Sequence, residues 1–141
     1  KAIKIKAFTK HALKKAGLGR WLAGPLPALR EELMSLHGIG PETADSILLY
    51  AGGRPSFVVD AYTLRIGSRL GWFKHPKESP LGQGTSYDEA ASFFTTSLPK
   101  SAGLYAEYHA LIVELGKRHC RKKPVCEGCP LRRGCRHGSA S

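Results

Sequence analysis

Ten residues constrain this chain more than any others: Leu36-His37-Gly38-Ile39-Gly40-Pro41-Glu42-Thr43-Ala44-Asp45. One amphipathic run (Leu26, Leu29, Leu33, Leu36) precedes them and a second (Ala44, Ile47, Leu48, Ala51) follows. Both runs recur at helical period, so two short helices must be joined across Gly-Ile-Gly-Pro. The two glycines permit a tight turn with positive φ, and Pro41 suits the first position of a helix because no amide donor is needed there. The amides left unpaired at that helix start, with the helix dipole, form an anion site. The stretch therefore predicts a helix-hairpin-helix, which grips a nucleic-acid phosphate without reading bases. Its candidate contacts are Gly38, Ile39, Gly40, Pro41, Glu42 and Thr43. An ordinary αα-hairpin uses the same residues, and the rest of the chain must decide between the two.

Charge favours the phosphate. The 141 residues carry a formal net charge of +11, which points to a polyanionic partner. The charge is also uneven. Residues 1–30 hold eight lysines and arginines and no acid, and residues 117–137 hold eight against the single acid Glu127. A solvated basic face explains either cluster alone; two clusters beside an anion-binding hairpin point to DNA. Neither basic run carries a continuous apolar face with Trp or Phe anchors, which argues against a membrane surface. No apolar stretch reaches spanning length and no signal peptide is present, so a cytoplasmic, nucleoid-associated protein is expected. The chain opens at Lys1 inside what reads as a helix already under way, as a fragment would.

In chain order, helices are expected over residues 2–16 (Ile5, Phe8, Ala12 and Ala16 on one face), 27–36 and 41–51, with Trp21 to Pro27 as a loop. Gly17 and Gly19 should end the first helix, and Glu31 and Glu32 should sit in the opening turns of the second. Phe57-Val58-Val59 reads as a short extended run, and Asp60 opens a helix bearing Leu64, Ile66 and Leu70. Residues 71–86, with Gly71, Pro76, Pro80, Gly82 and Gly84, read as loop. Ser86-x-x-Glu89 is a capping box for a helix ending near Leu98. Residues 102–119 form the longest helix, with Leu104, Tyr108, Leu111, Ile112 and Leu115 facing the core. Strand signals are nearly absent, so the fold class is all-α. Two lobes are expected, residues 1–58 and 59–141.

The tail has no periodicity and must be ordered by something other than a core. Cys120, Cys126, Cys129 and Cys135 fall within sixteen residues, spaced C-x5-C-x2-C-x5-C. Four thiolates this dense, among Lys, Arg, Pro and Gly, suit metal ligation, either structural zinc or an iron–sulfur cluster. Either would fold the tail and project Arg121, Lys122, Lys123, Arg132 and Arg133, with Lys122 and Lys123 as candidate DNA contacts.

A helix-hairpin-helix, then Phe57-Val58-Val59-Asp60, then Cys120…Cys126-x-x-Cys129…Cys135 together resemble the endonuclease III superfamily of DNA glycosylases. The resemblance covers most of the chain. It implies a six-helix barrel lobe, here partial, and a second lobe carrying a [4Fe–4S] cluster on the four cysteines. It further implies excision of damaged bases from double-stranded DNA, with the target flipped out of the duplex, by a monomer. Asp60 matches the family's catalytic aspartate, which activates water or stabilises the oxocarbenium-like sugar. Asp60 also fits a plain helix N-cap, and the two roles are compatible.

The second candidate catalytic position, Glu42, departs from the pattern. Bifunctional members carry a lysine there, whose amine attacks the sugar and forms a Schiff base. A carboxylate cannot form an imine, so the sequence looks like the monofunctional branch that includes 3-methyladenine glycosylases, with an alkylated base as the expected substrate. The cysteine loop departs too, with one residue fewer than usual between its first two cysteines, which leaves zinc as the alternative. Family members carry further helices before the hairpin, so the barrel is expected to be incomplete here; a bifunctional relative and a non-catalytic DNA-binding module are the rival readings. His109 is read as an ordinary helix histidine, Tyr62 as pocket lining or core, and Trp21 and Trp72 as packing residues.

Overall fold

The computed structural model describes residues 2–15, 17–74 and 85–139. The expectations placed on Lys1, Ala16, Pro76, Pro80, Gly82 and Gly84 lie outside these residues. The fold is all-helical, with no strand among the described residues. In order it comprises α1 (Ala2–Ala12), α2 (Leu18–Leu22), α3 (Leu26–Met34), α4 (Pro41–Ser46, continued by one π-helical turn over Ile47–Ala51), α5 (Ala61–Leu70), α6 (Tyr87–Ser97), α7 (Ala102–Arg118) and α8 (Arg136–Ser139). The chain forms two compact units, Lys1–Val58 with Lys100–Ala106, and Val59–Pro99 with Glu107–Ser141. Lys100–Ala106, expected in the second lobe, thus groups with the first.

In the first unit, Trp21, Leu22, Leu29, Leu33, Ile39, Ala44 and Leu48 are buried together, with Phe8 and Ala12 of α1 packed against them. Ile5 of α1 is exposed, so the apolar face of that helix is narrower than its periodicity suggests. The span expected as a loop, Trp21 to Pro27, begins with the last two residues of a short helix, α2. Gly19 lies inside α2, Trp21 and Leu22 are in the core, and Arg54 donates from one guanidinium nitrogen to the carbonyls of Leu22 (3.0 Å) and Gly24 (2.8 Å). A guanidinium from thirty residues away supplies what local sequence lacks. Glu31 and Glu32 are past the first turn of α3. Glu32 serves packing instead: it accepts from Trp21 Nε1 at 3.0 Å and pairs with Lys15 and His11. Lys15 and then Trp21, against a smaller opposing effect of burial, draw its carboxyl down to about 2.

The two hairpin helices are locked by a charge inside the unit. Asp45 on α4 is 2% exposed. Arg30 on α3 donates to both its oxygens (2.9 and 3.2 Å), and Ser56 Oγ donates to Oδ1 at 2.5 Å. Removing one partner of such a pair leaves the other uncompensated. Asp45→Ala is therefore expected to cost about 3 kcal/mol in urea-melt stability, whereas Glu31→Ala on exposed surface changes it little.

In the second unit, Val59, Thr63, Ile66, Ala90, Phe94 and Ile112 are buried. The Ser86 capping box on α6 is formed in both directions, with Ser86 N–H donating to Glu89 and Glu89 N–H to Ser86 Oγ. On α7 the expected core face is displaced: Leu104 and Leu111 are 36% and 59% exposed, while Tyr105 is 1% exposed and meets Phe57 edge-on at 5.4 Å within the first unit. Tyr105 and Ile112, seven positions apart, are the buried hydrophobic residues of this helix, and Gly116 is buried one turn on.

Candidate functional site

The turn between α3 and α4 brings the predicted phosphate contacts to the surface with one exception. Gly38 has φ +80°, a conformation that glycine adopts without strain. Gly40 does not need glycine for its backbone, with φ −95° and ψ −179°, and a Cβ there would meet nothing within 4 Å. Glycine at this place leaves the backbone bare. As the N-cap of α4 it offers no side-chain acceptor, so the first-turn amides of Glu42 and Thr43 are not capped by it. Glu42 and Thr43 are exposed. Ile39 is the exception: its side chain is in the core and its amide donates to the Leu36 carbonyl at 3.0 Å. It braces the turn rather than presenting itself.

Asp60 stands at the start of α5, after the buried extended residues Phe57, Val58 and Val59. It is a helix cap: Oδ1 accepts from Thr63 N (2.7 Å) and from Thr63 Oγ1 (2.9 Å). Oδ2 is left to a different neighbour. His109 of α7 places Nε2 3.6 Å from it, at ion-pair rather than hydrogen-bond distance. The two side chains are 13% and 14% exposed. Burial pushes the Asp60 carboxyl up, and the His109 imidazole with the Thr63 amide and hydroxyl more than offsets it, leaving the group below the usual carboxylate range. The capping role and an ionised, partly sheltered carboxylate coexist. Sequence reasoning set His109 aside, and no local signal could have paired it with a residue forty-nine positions earlier.

The other end of α5 grips the cysteine loop. Arg65 Nε donates to the Cys120 carbonyl at 2.7 Å. Arg69 donates to Cys120 Sγ (3.2 Å), the Arg121 carbonyl (2.6 Å) and the Lys122 carbonyl (3.0 Å). Tyr62 stacks on the Arg65 guanidinium at 5.0 Å, and Gly116 of α7 has no room for a Cβ because Tyr62 would lie 2.2 Å away. Cys120, Cys126, Cys129 and Cys135 all line one small cavity of about 30 Å³ with Arg69 and His119. All four are reduced and half-buried. They share the cavity without closing on a common point: among the described residues no three His, Cys, Asp or Glu side chains form a metal-ligand group. The donor set fits a four-thiolate centre, and no other side chain need be recruited. Lys122 and Lys123 are exposed, as are Arg121, Arg132 and Arg133.

The hairpin and the chain as a whole match known proteins. A helix-hairpin-helix motif model matches residues 24–50. A protein of Methanocaldococcus jannaschii provisionally named a DNA repair glycosylase is 46% identical over 138 residues, covering 96% of this chain and 59% of that protein. Endonuclease III of Thermotoga maritima is 31% identical over 136 residues, covering 96% of this chain and 56% of its own. Endonuclease III of Bacillus subtilis is 30% identical over 139 residues, covering 98% and 56%. A solved endonuclease III in non-covalent complex with DNA shares the fold at a TM-score of 0.65 and 23% identity, over 96% of this chain and 75% of that one. The chain belongs to the endonuclease III-like helix-hairpin-helix DNA glycosylase superfamily. It spans little more than half the length of these curated relatives. No helix among the described residues is long and apolar enough to cross a membrane.

Proposed function

We propose that this chain supplies the catalytic and backbone-gripping parts of a monofunctional DNA N-glycosylase of base-excision repair, acting on a damaged base in double-stranded DNA. The observation that carries the reading is Asp60, a sheltered carboxylate with one oxygen tied into a helix cap and the other left toward His109. In the reaction, water adds at the sugar carbon as the glycosidic bond breaks. The Asp60 carboxylate takes the proton from that water and stabilises the positive charge on the sugar. The glycosidic electron pair leaves with the base. An alkylated purine that already carries positive charge departs neutral and needs no acid, which makes it the favoured substrate class.

Glu42 stands on the exposed first turn of α4 with no amine to offer. The enzyme would leave an abasic site and stop there. The amides of α4 and the backbone at Gly38 and the bare Gly40 would hold a phosphate, and Lys122 and Lys123 would add non-specific phosphate contacts. Cys120, Cys126, Cys129 and Cys135 would hold the [4Fe–4S] cluster, with zinc as the alternative occupant. When bound, that group supplies a cross-link rather than chemistry at the base. A monomer working on cytoplasmic DNA completes the reading.

The test is a set of duplexes each carrying one lesion: 7-methylguanine, 3-methyladenine, hypoxanthine, ethenoadenine, uracil opposite guanine and thymine glycol. Released base is measured with and without borohydride. The expected result is base release from an alkylated purine, strands that break only after alkali, and no borohydride adduct. A trapped covalent adduct would overturn the monofunctional reading, and binding without release from any duplex would favour the non-catalytic module.

A further inference from the structure

We infer that His109 is a positioning residue for Asp60: its imidazole stands against the one carboxylate oxygen that the α5 cap leaves open, and fixes that oxygen's orientation. The inference rests on the glycosylase reading of Asp60 and deepens it. Oδ1 accepts two hydrogen bonds from Thr63, which pins the carboxyl plane relative to α5 but leaves rotation about that anchor as the remaining freedom of Oδ2. His109 comes from a different helix, α7, and places Nε2 3.6 Å from Oδ2. The imidazole nitrogen is itself shielded from solvent. A sheltered imidazole against a sheltered carboxylate interacts more strongly than the same pair in water.

The neighbouring groups make contacts of their own. Tyr87 of α6 faces the neighbouring backbone, where its hydroxyl accepts Val59 N–H at 3.3 Å. Tyr62 and Arg65 on α5 itself stack on one another. Thr63 contributes hydrogen bonds and no charge. His109 is thus the side chain outside α5 that, with the Thr63 amide and hydroxyl, opposes burial at Asp60 and holds its carboxyl below the ordinary range. The sign follows directly. Taking His109 away removes an influence that lowers the Asp60 titration, so the carboxyl must titrate at higher pH. The acid limb of base excision should move up with it.

The chain has three aspartates, Asp45, Asp60 and Asp88, so carboxyl-carbon labelling of aspartate gives three NMR signals, assignable with Asp60→Asn and Asp88→Asn. The experiment compares wild type with His109→Leu, which removes the donor, and His109→Gln, which keeps a neutral one. The Asp60 midpoint is expected to rise by about one pH unit in His109→Leu and by less in His109→Gln. Single-turnover release from dimethyl-sulfate-methylated duplex is expected to fall about tenfold in His109→Leu and to recover within about threefold in His109→Gln, with duplex binding unchanged. A residue that only filled space would lower thermal stability without moving the Asp60 midpoint. An unchanged midpoint in both folded variants overturns the inference. If the midpoint moves but wild type releases no base, the glycosylase reading falls and the His109–Asp60 pair stands.

Discussion

Asp60→Asn is expected to lower the rate of base release by a factor of about 10² to 10⁴ while leaving duplex binding intact. The geometry makes this substitution unusually clean. Asparagine caps a helix about as well as aspartate, so its side-chain oxygen can still accept from Thr63 and α5 should stay in place. What is lost is the charge on the second oxygen, and with it the ability to take a proton from water or to face a cationic sugar. Removing a negative charge from a DNA-facing protein cannot weaken its attraction to phosphates, so the affinity for undamaged duplex should hold or rise slightly. Single-turnover excision and equilibrium binding, measured on one preparation, check both halves. A variant that keeps the wild-type rate would show that Asp60 is a cap and nothing more.

How much of this was legible beforehand depends on whether the determinant is local. The hairpin was readable because its chemistry lies within four residues: a positive φ at Gly38, an extended Gly40 and a proline opening α4. The Ser86 cap was readable for the same reason. The short helix holding Trp21 was not, because Gly17, Gly19, Gly24 and Pro25 crowd its ends and its stability comes from core burial and from Arg54, far along the chain. The face of α7 was misplaced at Leu104 and Leu111. That helix begins in one unit and ends in the other, and a single periodic stripe cannot describe two surroundings. Asp60 as the residue that opens α5 was legible from the sequence, whereas the histidine against it and the Arg65 and Arg69 grip on Cys120 exist only through tertiary contact.

Replacing Cys126 and Cys129 together by serine is expected to disorder the tail and to abolish any visible absorbance of the purified protein. None of residues 120–137 is buried, so the hydrophobic effect contributes almost nothing to their order. Fixing the backbone of the sixteen residues from Cys120 to Cys135 costs about 1 kcal/mol or more each. α5 makes four hydrogen bonds to the start of the loop, worth about 1 kcal/mol apiece, and beyond Lys122 its Arg69 carbonyl accepts a weak bond from Cys135 Sγ at 3.6 Å. The deficit beyond Lys122 is many kcal/mol, which turns of the kind seen at Cys126–Cys129 do not close, whereas metal–thiolate bonding supplies on the order of 10 kcal/mol. In the double variant, limited proteolysis should cut between Lys122 and Arg136 at sites protected in wild type. DNA affinity should fall at least about tenfold at low salt, with a shallower salt dependence, because Lys123, Arg132 and Arg133 are no longer held in place. Brown wild-type protein that the variant bleaches identifies the cluster, and colourless wild-type protein containing one equivalent of zinc identifies the alternative. A metal-free wild-type tail that resists protease as well as before would sink the proposal that four thiolates order it.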